Sequence, residues 1–223
     1  MIRKFILAVC LLFSLISVAQ EGTSSPYSFY GIGDVKFKGT AENRAMGGLT
    51  IFPDSIHVDF QNPASYPGLK LTTFTVGGSL LTTKLKTSSQ EDKARRTGID
   101  YLALGLPIGK KFGAGFGLAP YSSVGYKIQA TEPGPPQIVK RYSGTGGLNK
   151  VFAGVGYAIS PKFSIGADLS YNFGKIATSS IRFVQDVQYG SREKNVSDIH
   201  GVTMTTGLAY QSKINAKLSL FSS

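Results

Sequence analysis

From Val151 to Gly174 the chain reads VFAGVGYAISPKFSIGADLSYNFG. Two alternating runs flank a tight turn at Ser160-Pro161-Lys162. In the second run Phe163, Ile165, Ala167, Leu169, Tyr171 and Phe173 fall on one face, and Ser164, Gly166, Asp168, Ser170, Asn172 and Gly174 on the other. Successive side chains of a strand point to opposite sides, so this strand is apolar on one face and small or polar on the other. Strands of soluble proteins usually run ~5–6 residues. A tilted strand that crosses a bilayer needs ~9–11. Phe163 to Phe173 spans roughly 36 Å at ~3.3 Å per residue, and a tilt of ~40° brings that height close to the ~25 Å apolar band of a membrane barrel. The hairpin therefore predicts membrane-crossing strands.

The start of the chain predicts export. Arg3 and Lys4 form a charged n-region, Phe5 to Val18 an apolar h-region, and Ser17-Val18-Ala19 a small-x-small cleavage site. Residues 1–20 read as a signal peptide, too short for a stable spanning helix of ~20 residues. The one cysteine, Cys10, lies inside it, so the exported chain has no thiol or disulfide chemistry. No later segment is apolar for the length of a membrane helix, so a return to the membrane must use strands. Glycine, 27 of 223 residues, disfavours helices further. The formal charge is +11, and removal of Arg3 and Lys4 leaves +9. Without a basic helical stripe, and with a signal peptide, this charge does not point to nucleic acid. Ordinary solvated charge is the simpler account, and contact of positive loops with lipopolysaccharide phosphates is the alternative.

The same rhythm recurs along residues 69–223, which predict about seven strands. They begin near Leu71–Leu85, Ile99–Ile108 and Phe112–Ile128, continue through the hairpin towards Phe183, and end with Gly201–Tyr210 and Lys217–Phe221. Short turns fall at Gly109, Ser160 and Lys213. Longer charged or proline-rich connections are expected at 88–96, 129–139 and 186–199. That sorting of loops by end is characteristic of an outer-membrane barrel. Seven strands leave an open edge and an odd number, so the barrel in this chain reads as partial. Residues 21–68 are different, rich in Gly and Pro, with one short strand expected at Ile56–Phe60. Their expected place is against or inside the strands.

Four stretches carry a resemblance: SPYSFYGIGD (Ser25 to Asp34), NRAMGG (Asn43 to Gly48), QNPASY (Gln61 to Tyr66) and APYSSVGYKI (Ala119 to Ile128). Over essentially the whole exported chain, they resemble Bacteroidetes outer-membrane proteins of the FadL/TodX-like transporter superfamily. The resemblance implies a barrel of which roughly half lies beyond this chain, with an N-terminal hatch, or plug, formed by residues 21–68. It implies that Met46, Gly47 and Gly48 match one hatch motif, and Asn62, Pro63 and Ala64 a second. Read from the residues alone, an Asn-Pro step starts a turn and a glycine pair permits positive φ, so both motifs equally suit simple anchoring.

Pro120 stands mid-way along the third predicted strand, where proline removes a ladder hydrogen bond. Pro120, Tyr121 and Ser122 are therefore candidates for a break in pairing: a lateral gate by the resemblance, a plain bulge otherwise. Asp168, Ser170 and Asn172 are candidates to line a lumen. Catalytic motifs fail. GTGGLNK (Gly144 to Lys150) lacks the Gly-Lys-Ser/Thr ending of a phosphate loop, and His57 and His200 are too few and too far apart in sequence for a metal centre. His200 with nearby Ser197 is a poor hydrolase constellation. No enzyme activity, cofactor or metal is expected.

The expected protein is all-β, a partial transmembrane antiparallel barrel with an N-terminal hatch, in the outer membrane. Its expected role is passive transport of small, fatty-acid-like hydrophobic compounds. The alternative is an accessory or interaction component of protein secretion or the cell surface, with secretion-system proteins as partners. A soluble secreted sandwich is a third possibility. Expected contacts are outer-membrane lipid and lipopolysaccharide, with no nucleic acid.

Overall fold

A computed structural model describes residues 25–49, 55–86, 91–215 and 218–223. The predicted signal peptide lies outside the described residues. The strands are β1 (Asp34–Val35), β2 (Thr73–Lys86), β3 (Glu91–Ile108), β4 (Phe112–Glu132), β5 (Ile138–Ser160), β6 (Phe163–Val184), β7 (Ser191–Lys213) and β8 (Ser219–Ser222). They form one antiparallel sheet in the sequence order β2 to β8, with the short β1 beside β4. The sheet is not closed: β2 and β8 stand at its two ends and do not pair with each other. No described helix is long and apolar enough to cross a membrane, which says nothing of crossing by strands.

The strands outrun the predicted ones. Much of the charge expected in loops at 88–96 and 186–199 lies within β3 and β7. Beyond an apolar band a ladder needs no apolar face, and opposite charges paired across strands suit it. Lys84 meets Glu91 at 2.7 Å, and Lys175 meets Asp198, its register partner, at 3.2 Å. The connection expected at 129–139 is likewise reduced to 133–137.

The two faces of the sheet differ as the alternation requires. One face carries exposed Phe74, Val76, Leu80, Phe116, Leu118, Val151, Val155, Leu169, Val202, Met204 and Leu208, from β2 across to β7. Soluble monomers rarely expose a contiguous apolar patch above a few hundred Å². Near the short turns, Phe112 and Tyr157 lie 4.6 Å apart, and Phe163 opposes Tyr210. Further up, Tyr171 and Phe173 stack at 5.8 Å. Aromatic side chains at both ends of an apolar band, a row across β4 to β7 below and the Tyr171–Phe173 pair above, are the pattern of a lipid-facing surface.

The other face is covered by residues 25–49 and 55–70, and the core lies between them and the sheet. Val58, Phe60 and Tyr66 pack on Tyr101, Ala103 and Phe152. The Phe60 ring meets Tyr101 and Phe152 edge-on at 5.0 and 5.4 Å. A second cluster, Val124, Tyr126 and Ile176, is covered by Ile32, while the Phe29 ring meets Tyr126 at 5.2 Å. The strand expected at Ile56–Phe60 is absent among the described residues. Asp59 turns the chain there, its Oδ1 accepting the Gln61 N–H at 2.7 Å. The segment instead forms 3-10 helices at Pro26–Phe29 and Pro63–Gly68, and the short helix α1 (Ala41–Ala45). Thr40 and Asn43 cap α1 reciprocally. Because the sheet is open, this cover lies against a wall and no hatch within a lumen is seen.

Candidate functional site on the covered face

The Pro63–Gly68 helix is seated on glycine. Asn62 is its N-cap: Oδ1 accepts the Ala64 N–H at 2.9 Å, while Nδ2–H donates to the Leu208 carbonyl of β7 at 2.8 Å. Ser164 Oγ–H of β6 donates to the Ala64 carbonyl at 2.7 Å. Beneath lie Gly113 and Gly115 of β4, Gly156 of β5, Gly166 of β6 and Gly207 of β7. A Cβ at Gly113 would stand 2.0 Å from the Tyr66 carbonyl oxygen, one at Gly166 2.4 Å from the Pro63 carbonyl carbon, and one at Gly207 1.9 Å from Asn62 Oδ1. Bare strand surface is thus what lets the helix backbone approach four strands at once.

The structure ties the two predicted motifs together. Met46, exposed, is the C-cap of α1, and Gly47 and Gly48 follow with φ of +76° and +90°. The Gly48 N–H donates to the Asn43 carbonyl at 2.7 Å, ending the helix in the left-handed turn that glycine favours. Gln61 then joins the motifs: its Nε2 donates to the carbonyls of Lys38 (2.8 Å) and Gly48 (3.1 Å), one residue before Asn62. Sequence reasoning missed Gln61, Asp59 and Tyr66. Only the turn-forming context of QNPASYPG hinted at them.

Asp168, Ser170 and Asn172 do share the covered face of β6. Asp168 and Ser170 are buried, and Ser170 Oγ–H donates to Asp168 Oδ1 at 3.1 Å. Asn172 Nδ2–H donates to Thr203 Oγ1 at 3.2 Å, while its buried Oδ1 has no partner among the described residues. The open sheet encloses no lumen for them to line. In the covering segment, burial lifts the Asp59 carboxyl from 3.8 to about 6, against the pull of backbone N–H bonds from Gln61 and Asn62. Its Oδ2 has no hydrogen-bond partner among the described residues, and the nearby Ser65 hydroxyl donates to the Asn62 carbonyl instead. Burial, then the charges of Asp168 and Asp59, push the Tyr66 hydroxyl up.

Pro120 marks a change of partner. The β3–β4 ladder runs from Ile108 opposite Phe112 to Leu102 opposite Leu118, and goes no further. On the other side of β4 the register with β5 shifts between Pro120 and Ser122. There β1 joins the β4 edge that β3 has left: Asp34 opposes Ser123, Val35 opposes Ser122, and the Lys36 N–H donates to the Tyr121 carbonyl at 2.9 Å. Proline brings no N–H to the ladder, so the parting falls where β4 pairs least well. A cavity of about 800 Å³ occupies the wedge, lined by Lys36, Arg96, Ser122, Asn149 and Lys175 among others.

Comparison with known proteins overturns the transporter resemblance. The model of one family, BamG, matches residues 1–223. No curated protein and no solved structure matches the chain. The motifs that suggested a FadL-like transporter are here a helix C-cap and the N-cap of a 3-10 helix, local chemistry that unrelated chains share. The chain belongs to the BamG family, an outer-membrane protein family associated with the BAM complex, and not to the FadL-like transporters.

Proposed function

We propose that this protein is a non-enzymatic accessory component of outer-membrane protein biogenesis, acting in the membrane beside the BAM machinery. The observation that carries the reading is membership of the BamG family over the full 223 residues. Two features of the fold support it. The apolar face suits lipid contact, and the apolar-lined cavity seen on the covered face among the described residues, beside Phe37, Phe60 and Phe152, is only about 90 Å³, small for passage of a fatty-acid-like compound. The cavity of about 800 Å³ in the wedge is lined by Lys36, Arg96 and Lys175 among others.

In this reading residues 1–20 direct export, residues 69–223 are part of a membrane-spanning barrel wall, and residues 21–68 brace it from inside. Closure of the wall follows from solvation, since each backbone group left unpaired in lipid costs several kcal/mol. The Met46–Gly48 and Asn62–Ala64 motifs then anchor the brace.

Affinity capture of the tagged full chain from mildly solubilised outer membranes tests the proposal. Co-elution of the BAM machinery is the expected result. Recovery from the soluble periplasmic fraction, or capture of the chain with a bound hydrophobic compound and no BAM component, contradicts it.

A further inference from the structure

The wedge where β3 leaves β4 has a composition and a height that call for a specific ligand. Two cations reach it from separate elements, Lys36 following β1 and Arg96 on β3, and Lys175 of β6 adds a third. Burial, and then the like charge of Arg96, hold the Lys36 ammonium below its usual range, so the two cations lie close enough to repel. The acidic neighbours are Asp34, Asp100 and Asp198. Asp34 and Asp100 attract both cations, and Asp100 also lies 3.6 Å from the Arg44 guanidinium and accepts Ser79 Oγ–H at 2.9 Å. Asp198 pairs with Lys175 at 3.2 Å, both more than half exposed. Ser122 lines the wedge, is 2% exposed, and has no hydrogen-bond partner for its hydroxyl among the described residues.

The register gives the height. Pro120 opposes Asn149, and Asn149 opposes Phe173. Phe173 belongs to the upper aromatic pair, stacked on Tyr171. Ser123 opposes Gly147, which opposes Lys175, so the wedge begins just above that pair. From Phe112 in the lower row to Pro120 is roughly 26 Å along β4, or about 20 Å of height at ~40° tilt. The wedge therefore sits at the outer boundary of the apolar band, at the level of headgroup phosphates.

We propose that the β3–β4 wedge binds a phosphate monoester through Lys36, Arg96 and the Ser122 hydroxyl, with Lys175 at its mouth. The phosphate is carried by a lipid headgroup or free in solution. This inference rests on the outer-membrane reading only for the choice between those sources. A phosphate seated between the two cations accepts charge-assisted hydrogen bonds from both, and the Ser122 hydroxyl gains the partner it lacks among the described residues.

The test uses the full exported chain in a neutral detergent, with native mass spectrometry counting retained phosphatidic acid against phosphatidylcholine. Inorganic phosphate and a short poly-glutamate peptide serve as competitors. Wild type should retain phosphatidic acid selectively. The double variant Lys36→Gln with Arg96→Gln should lower that retention about tenfold, the loss of one to two charge-assisted bonds. Lys162→Gln, in a turn at the opposite end, should leave it unchanged. Displacement by inorganic phosphate at equal concentration supports the phosphate site with the free ion as its source, and no displacement supports the lipid. Should the double variant fail to fold, Lys175→Gln alone should reduce retention about threefold, since its cation is exposed. Equal retention of both lipids without phosphate binding, retention indifferent to these variants, or displacement by poly-glutamate alone overturns the proposal.

Discussion

A Cβ built on Gly113 would stand 2.0 Å from the carbonyl oxygen of Tyr66. The neighbouring atom is backbone of a buried helix, so it cannot step aside as a flexible side chain does. Gly113→Ala should therefore destabilise the fold by about 1–3 kcal/mol, the usual cost of overpacking. Gly201→Ala, with nothing within 4 Å of its Cβ, should cost far less. Loss of heat-modifiable gel migration at a lower temperature in the first variant, and not the second, is the measurement.

Asn62 holds the covering segment twice, at Ala64 and at Leu208. Asn62→Ala should cost about 0.5–2 kcal/mol for the cap alone. Amide hydrogen exchange should rise in residues 55–70 while the β4–β6 ladders stay protected. Uniform loss of protection throughout the sheet would show that cover and wall unfold as one unit.

Asp59 gives stability a pH dependence. Its carboxyl is lifted from 3.8 to about 6 by burial, so the folded chain binds the proton more tightly than the unfolded chain. The stabilisation is fully present below the unfolded value and is lost as pH rises through about 6. Over that window stability should fall by on the order of 2–3 kcal/mol. Asp59→Asn should flatten the slope between pH 4 and 6. Denaturant midpoints of both proteins across this window provide the check.

Leu169 is exposed at mid-height on β6, between Phe163 and the Tyr171–Phe173 stack. If this face meets lipid, Leu169→Arg should cost about 2–4 kcal/mol, falling to about 0–1 at the boundary near Lys175. Folding titrations in bilayers read the difference. Equal effects at the two heights would sink the membrane-facing assignment.

Much of the wall was legible in the sequence because period two is a strong signal. The alternation of Phe163 to Gly174 corresponds to exposed Ile165, Leu169 and Tyr171 against buried Asp168 and Ser170. The turns near Gly109 and Ser160 also fall between strands as expected. The register shift between Pro120 and Ser122 falls at a residue whose missing N–H is a local property readable from sequence. The charged ends of β3 and β7 were not legible, because cross-strand pairs such as Lys175 with Asp198 involve residues far apart in the chain. The covering segment was harder still. Val58 and Phe60 look like alternate residues of a strand, yet the intervening Asp59 turns the chain by capping Gln61. The family was misread for a related reason: Gly47-Gly48 and Asn62-Pro63 are solutions to local turn geometry, and they carry little ancestry.

The glycine seat also has a consequence for assembly. Gly113, Gly156, Gly166 and Gly207 come to lie under one short helix only when β4, β5, β6 and β7 are paired in the native register. A slip of one residue in β7 would bring Thr206 or Leu208 towards Asn62 in place of Gly207 and leave no room for the helix to dock. The segment made first during synthesis thus finds its place only after strands made much later are aligned. Its docking acts as a gauge of correct pairing, one that rejects a misregistered wall before its inner face is sealed.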